Sequence, residues 1–157
     1  MAEEFVVTPW EVKGKIDYDR LIENFGAKKI DEKLSNKIQK FTKDLHFFLR
    51  RQIVFAHRDL DFILDKYEKG EKFFLYTGRG PSGKTHIGHI IPYVFSKWLQ
   101  DKFNAELYFQ ITEDEKSIVK NMSLEETTKV AYDNILDIIA IGFDPKKTHI
   151  FLNTEYT

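Results

Sequence analysis

Cysteine is absent from this chain of 157 residues. That excludes disulfides and thiolate metal sites, and it fits a reducing compartment. Charge of one sign is not in excess either: 24 Lys+Arg stand against 25 Asp+Glu. No global field therefore advertises a nucleic-acid partner, and any RNA contact has to come from a local patch or from protein outside this chain. No long apolar run heads the sequence. MAEEFVVTPW is acidic and reads as neither signal peptide nor transmembrane helix. The expectation is a soluble, cytoplasmic protein with no membrane partner. The length fits one compact domain, or one with a helical appendage. Aromatic residues make up 15% of the chain and include 14 Phe, enough for a substantial core.

What is present is concentrated between Phe73 and Leu99, FFLYTGRGPSGKTHIGHIIPYVFSKWL. An apolar run from Phe73 to Tyr76 leads into a turn punctuated by Gly78, Gly80, Pro81 and Gly83. Ile87, Ile90, Ile91, Val94, Phe95 and Trp98 then recur at helical spacing. Strand, glycine turn and helix together place backbone N–H groups around a phosphate. Two nucleotide-site motifs overlap here. Gly78-x-x-x-x-Gly83-Lys84-Thr85 matches a P-loop, in which Lys84 meets the β/γ oxygens and Thr85 holds magnesium. Pro81-Ser82-Gly83-Lys84-Thr85-His86-Ile87-Gly88-His89 is the competitor. There Gly88 lets a nucleotide approach the backbone, and His86 and His89, three apart, donate to the same phosphate. With 5 His and 8 Gly in the chain, His-x-Gly-His arises by chance at one chosen place roughly 1 time in 20,000. The P-loop leaves both histidines and that glycine unexplained. A bland strand–turn–helix with two surface histidines is the third reading.

Phe5 to Thr8 reads as a short strand interrupted by Pro9, and residues 5 to 14 as a hairpin-like lip. Trp10 serves there as a core anchor or a flap. From Asp17 to Asp65 the pattern is helical, and a last helix through Tyr67 closes at Gly70. His57-Arg58-Asp59-Leu60 copies kinase letters without the Asn or DFG that a kinase needs. His46, His57 and His149 are isolated and read as structural. Arg50-Arg51 with Lys28-Lys29 reads as a solvated face. A second strand, Glu106 to Ile111, ends in Thr112-Glu113-Asp114-Glu115-Lys116, the sheet edge at which open α/β folds bind ligands. The same residues also read as a capping box, Thr112-x-x-Glu115. Ser123-x-x-Glu126 opens a further helix to Gly142. Asp144-Pro145 turns the chain into a third strand, Thr148 to Leu152. The order from residue 73 is β-α-β-α-β, half of a doubly wound parallel sheet with right-handed crossovers.

These residues carry a resemblance that covers nearly the whole chain. Thr8-Pro9-Trp10-Glu11-Val12, Ile16 to Asp19, Phe48 to Arg51, His57-Arg58-Asp59, Tyr76 to Ser82, the HIGH-like His86-Ile87-Gly88-His89, Ile91-Pro92-Tyr93, Trp98 to Asp101 and Gln110 to Lys116 resemble the N-terminal part of tryptophanyl-tRNA synthetases of the archaeal/eukaryotic type. The tyrosyl enzymes favour an acidic residue before Pro-Ser, whereas Gly80 stands here.

The resemblance implies an α/β fold: half of a doubly wound parallel sheet (Rossmann-like, class I synthetase, HUP-type) with an N-terminal helical extension. Residues 1–70 would form the lip and extension, and residues 71–157 the first half of the nucleotide-binding domain. It implies a tryptophan–tRNA ligase that uses ATP and Mg2+ to activate tryptophan as the adenylate and then charges tRNA(Trp), with a homodimer in the full-length enzyme. His86 and His89 would be catalytic. Arg79, Gly80, Ser82, Thr85, His86, Gly88 and His89 would line ATP. Tyr76, Gln110 and Glu115 would hold tryptophan, with Tyr76 accepting from the indole N–H and no protein-bound metal. The KMSKS-like signature is missing, since Lys120-Asn121-Met122-Ser123 arrives too early, so a fragment that catalyses poorly is expected. Its last strand would be an exposed edge prone to self-association. The alternatives kept open are a P-loop NTPase or kinase using Lys84 and Thr85, and a non-catalytic module derived from a synthetase.

Overall fold

The computed structural model describes residues 6–7, 12–13, 18–120 and 122–156. Three parallel strands, β5 (Leu75–Arg79), β6 (Leu107–Ile111) and β7 (Thr148–Leu152), lie side by side in the order β5-β6-β7. The elements between them are α5 (Ile87–Phe103), α6 (Glu113–Lys120) and α7 (Leu124–Ala140). The expected β-α-β-α-β sheet is present, and the third strand has the predicted bounds. The register sets Arg79 opposite Ile111 and Ile111 opposite Leu152. All three strands therefore end at one edge.

The sheet's packed face is built on period two. Leu107, Phe109 and Ile111 are completely buried and alternate with partly exposed Tyr108 and Gln110, the pattern of a sheet with one dry face. They join Tyr93 of α5 and Ala131 and Ile138 of α7 in one cluster. Leu107, Phe109, Ile111 and Ile138, all fully buried, each contribute about 1.5–3 kcal/mol. Among the described residues β7 pairs with β6 alone, which makes it the edge expected from the sequence.

Short elements precede the sheet: β1 (Val6–Val7) and β2 (Val12–Lys13), paired antiparallel, then α1 (Tyr18–Asn24). The strand pair agrees with the hairpin-like lip. Trp10 itself lies outside the described residues. Next come β3 (Lys28–Lys29), α2 (Glu32–Thr42), α3 (Phe47–Arg50), β4 (Ala56–His57) and α4 (Leu60–Glu68). α2 starts where Asp31 accepts the Leu34 N–H at 2.7 Å, and it buries Leu34 and Ile38. These pack with Leu49, Leu64 and the α5 residue Phe103 in a second cluster. One long helix thus serves both cores.

Three details differ from the sequence reading. The helical pattern from Asp17 to Asp65 is broken, because β3 and β4 pair antiparallel and Gln52 and Asp59 take positive φ of 54° and 53°. Ile53 and Val54 instead donate to the Phe48 carbonyl as the chain turns out of α3. The first long strand begins at Leu75 rather than Phe73. It runs through Gly78 and Arg79, which the sequence placed in the turn. A Cβ at Gly78 would lie 3.0 Å from the Gln110 carbonyl oxygen, so this strand position takes glycine for close packing.

Candidate active site

Arg79, Gln110 and Glu115 stand at or just beyond the strand ends, whereas Tyr76 is the second residue of β5. Arg79 closes β5 and is buried, 8% exposed as a residue. Its Nε donates to Asn134 Oδ1 at 2.9 Å, its Nη2 reaches the Gly83 carbonyl at 3.4 Å, and its Nη1 touches His89 Nε2. Asn134, on α7 and 1% exposed, also donates from Nδ2 to the Gly83 carbonyl at 3.0 Å. One amide therefore ties the arginine and the glycine turn to the same helix. Gly80 follows at the strand end, where a Cβ would run into Lys116 Cε.

His86 is the N-cap of α5. Its Nδ1 accepts the Gly88 N–H at 3.2 Å, and His89 Nδ1 accepts the His86 N–H at 3.2 Å. The rings lie 3.6 Å apart, tilted by 34°. With Nδ1 used as acceptor, a neutral His86 carries its proton on Nε2, an outward donor at a helix N-terminus. His89 is in conflict. Its Nδ1 faces an N–H while its Nε2 faces a guanidinium that can only donate, and a neutral ring has only one acceptor nitrogen. Burial, the Arg79 charge and His86, in that order, hold its pKa below the ordinary histidine value. Gly88 is exposed, and the space a Cβ would take is occupied by the His86 ring, with Cε1 at 3.1 Å.

On the open face of the sheet, Tyr76 donates its hydroxyl proton to Gln110 Oε1. Gln110 Nε2 donates to Asn153 Oδ1 at 2.6 Å, and Asn153 Nδ2 donates to Asp114 Oδ1 at 3.0 Å. Asn153 opens α8 (Asn153–Tyr156). The start of α8 is held by Glu113, completely buried, which accepts from Asn153 N at 3.1 Å, Thr154 N at 3.0 Å and Thr154 Oγ1 at 2.6 Å. Glu115 accepts from Thr112 Oγ1 at 3.1 Å and pairs with Lys116 at 3.4 Å. The stretch from Thr112 to Lys116 thus both leaves the strand, at Thr112, and starts α6, at Glu113.

Of the remaining predicted residues, Ser82 is exposed on the turn, and Thr85 Oγ1 is buried without a hydrogen-bond partner. The P-loop geometry is not built. Gly78 sits inside β5, Lys84 and Thr85 precede the helix, and α5 starts only after His86. The isolated histidines make hydrogen bonds within the fold: His46 and His57 accept the Phe48 and Leu60 N–H groups, and His149 meets Glu106. The edge is shallow, with Tyr76 58% exposed. A cavity of about 970 Å³ lies elsewhere, lined by Ile22, Ser35, Leu49 and Val54 among others, and holds none of the site residues. Sequence reasoning missed Asn134, Asn153 and the capping role of Glu113. Asn134 stands on a helix 55 positions from Arg79, and no spacing rule links the two.

Comparison with known proteins bears on the family and the fold. Residues 68–157 match the family model of tRNA synthetases class I (W and Y). The tryptophan–tRNA ligase of Saccharolobus solfataricus is 59% identical over 157 residues, which is 99% of this chain and 41% of that protein. The ligase of Pyrococcus horikoshii is 58% identical over 100% of this chain and 41% of its own length. The crystal structure of Plasmodium falciparum tryptophanyl-tRNA synthetase superposes with a TM-score of 0.87 at 47% identity, covering 90% of this chain and 40% of that one. The chain therefore spans about two-fifths of the length of these relatives. Half a doubly wound sheet, its strand-end edge and the family match lead to one conclusion: this chain belongs to the class I tRNA synthetases of the W and Y family.

Proposed function

We propose that the chain is the N-terminal catalytic segment of a tryptophan–tRNA ligase, which activates tryptophan with ATP and then charges tRNA(Trp). Residues 71–157 supply the first half of the nucleotide-binding domain, and residues 1–70 its lip and helical extension. The observation that carries the reading is the pair of contact groups that β5 supports: Tyr76 bonds to Gln110 of β6, and Arg79, at the strand's end, meets His89, whose ring accepts the His86 N–H.

In the reaction, a carboxylate oxygen of tryptophan attacks the α-phosphorus of ATP. The bond from that phosphorus to the β-bridging oxygen breaks, and pyrophosphate leaves with the electron pair. His86 Nε2–H donates to the α-phosphate as charge builds, an effect typically worth about 10²–10³ in rate per donor. Ser82, Thr85 and Gly88 line the nucleotide, with Thr85 Oγ1 available as a donor. Among the described residues no cluster of three His, Cys, Asp or Glu could hold a metal. Magnesium, which is held largely by substrate phosphates and water, would arrive with the triphosphate. The indole N–H is a donor only, so its partner has to be an acceptor. Tyr76, whose proton is already given to Gln110, offers that lone pair, and Gln110 and Glu115 take the ammonium group. tRNA and a second subunit are the partners of the longer enzyme.

Calorimetric titration with non-hydrolysable tryptophanyl- and tyrosyl-adenylate analogues tests this, with ATP–Mg2+ as control. Preference for the tryptophanyl analogue is expected. Tight binding of ATP–Mg2+ that depends on Lys84, with no preference between analogues, overturns it.

A further inference from the structure

The row of hydrogen bonds across the strand ends has a direction, and the direction is set at its far end. Asp114 Oδ1 is acceptor-only and also takes the Glu115 N–H at 2.8 Å. Asn153 must therefore turn its Nδ2 toward Asp114, at 3.0 Å. That leaves Asn153 Oδ1 facing Gln110, which must present Nε2, at 2.6 Å. Gln110 Oε1 is then left facing Tyr76 and takes the hydroxyl proton. Turning any one amide over would set oxygen against oxygen, or two N–H groups together, at the next link. The Asn153 backbone is fixed as well, because its N–H is held by the buried Glu113 carboxylate at 3.1 Å.

We propose that Asn153 is a positioning residue for substrate selection: it fixes the amide of Gln110 so that Tyr76 meets the ligand as a hydrogen-bond acceptor, selecting an aromatic N–H donor over an isosteric ring without one. This rests on the reading that Tyr76 faces the indole. In this assignment neither Asn153 nor Asp114 is a ligand contact. They act through Gln110. If Gln110 were free to turn, its Nε2 would donate to Tyr76, and the hydroxyl proton could serve a ligand acceptor equally well. Selection at that atom would then vanish while the pocket kept its shape.

The test compares binding of two non-hydrolysable adenylate analogues by calorimetry. One carries tryptophan, and the other its 3-benzofuranyl isostere, in which an ether oxygen replaces the indole N–H. The unsubstituted chain is expected to prefer the indole analogue by about tenfold or more, the scale of one hydrogen bond made against one left unmade. Asn153→Leu and Asn153→Asp both remove the donor to Asp114, but only Asp keeps an acceptor for Gln110 Nε2. The preference should collapse toward unity in Asn153→Leu and persist in Asn153→Asp, even if the second carboxylate lowers stability. Asn153→Ala supplies the same arm as leucine should leucine prevent folding, with circular dichroism as the check. An unchanged ratio in Asn153→Leu or Asn153→Ala overturns the proposal, as does an equal loss of preference in Asn153→Asp. If the unsubstituted chain binds neither analogue, the reading of Tyr76 fails and the proposal falls with it.

Discussion

Arg79 and Asn134 meet with Nε and Oδ1 2.9 Å apart, and the same amide reaches back to the Gly83 carbonyl at 3.0 Å. A residue in the middle of α7 therefore holds both the cation at the end of β5 and the glycine turn that leads into α5. Asn134→Ala leaves the buried Arg79 and a carbonyl without this partner. It should lower stability by about 1–3 kcal/mol, and it should weaken adenylate-analogue binding because the turn is released. Urea unfolding read by fluorescence checks the first effect and titration the second. An unchanged midpoint would contradict the role assigned to Asn134.

Two histidines give the fold a pH dependence of definite sign. Burial, followed by the Arg50 charge and partly offset by Asp44, lowers the pKa of His46. Burial, followed by Arg79 and His86, lowers that of His89. The unfolded chain takes up these protons near the ordinary value of about 6.5, while the folded chain resists until lower pH. Stability is therefore fully present above that value and falls as pH decreases through it toward the folded pKa values. Denaturation between about pH 7.5 and about pH 5.5 should show the decline, and His46→Gln should reduce it. A rise in stability over that window would contradict the assignment.

Glu113 is a completely buried carboxylate satisfied by two backbone N–H groups and a hydroxyl of α8. Glu113→Ala orphans those donors and removes the cap, so a loss of about 1–3 kcal/mol is expected. Glu113→Gln should fall between alanine and the original residue, because its single amide oxygen can still accept on one side while its NH2 faces a backbone N–H on the other. Thermal unfolding of the three proteins in one buffer orders them. Alanine equal to the original would show that the cap carries no energy.

Lys84 and His86 are two positions apart and should behave oppositely. Lys84 is exposed and precedes the helix, whereas His86 caps it and points a fixed donor outward. His86→Ala is expected to weaken tryptophanyl-adenylate-analogue binding by about tenfold, the scale of one lost charge-assisted hydrogen bond, and Lys84→Ala by far less. The reverse order would restore the P-loop reading.

Much of this was legible in the residues. The strand read over Glu106 to Ile111 is present as Leu107–Ile111, and the Ser123–Glu126 box marks the start of α7, with Ser123 Oγ accepting the Glu126 N–H at 3.1 Å. The histidine pair is read from its spacing alone, and the two rings do meet at the start of α5. Local rules failed where distant partners decide the outcome. β3 and β4 are two residues each and exist because they pair with one another. Gly78 reads as a turn residue until the Gln110 backbone is seen to crowd it. Asn134 and Asn153 are ordinary polar letters in a helix and at a strand end, and only the fold supplies their partners.

The most direct test of the account is the ratio of dissociation constants for the tryptophanyl- and tyrosyl-adenylate analogues, measured for the unsubstituted chain and for Tyr76→Phe. A preference for the tryptophanyl analogue that drops by about tenfold in Tyr76→Phe, the scale of one hydrogen bond to a buried donor, is the predicted result. An equal affinity for both analogues, or a preference that Tyr76→Phe leaves intact, would contradict it.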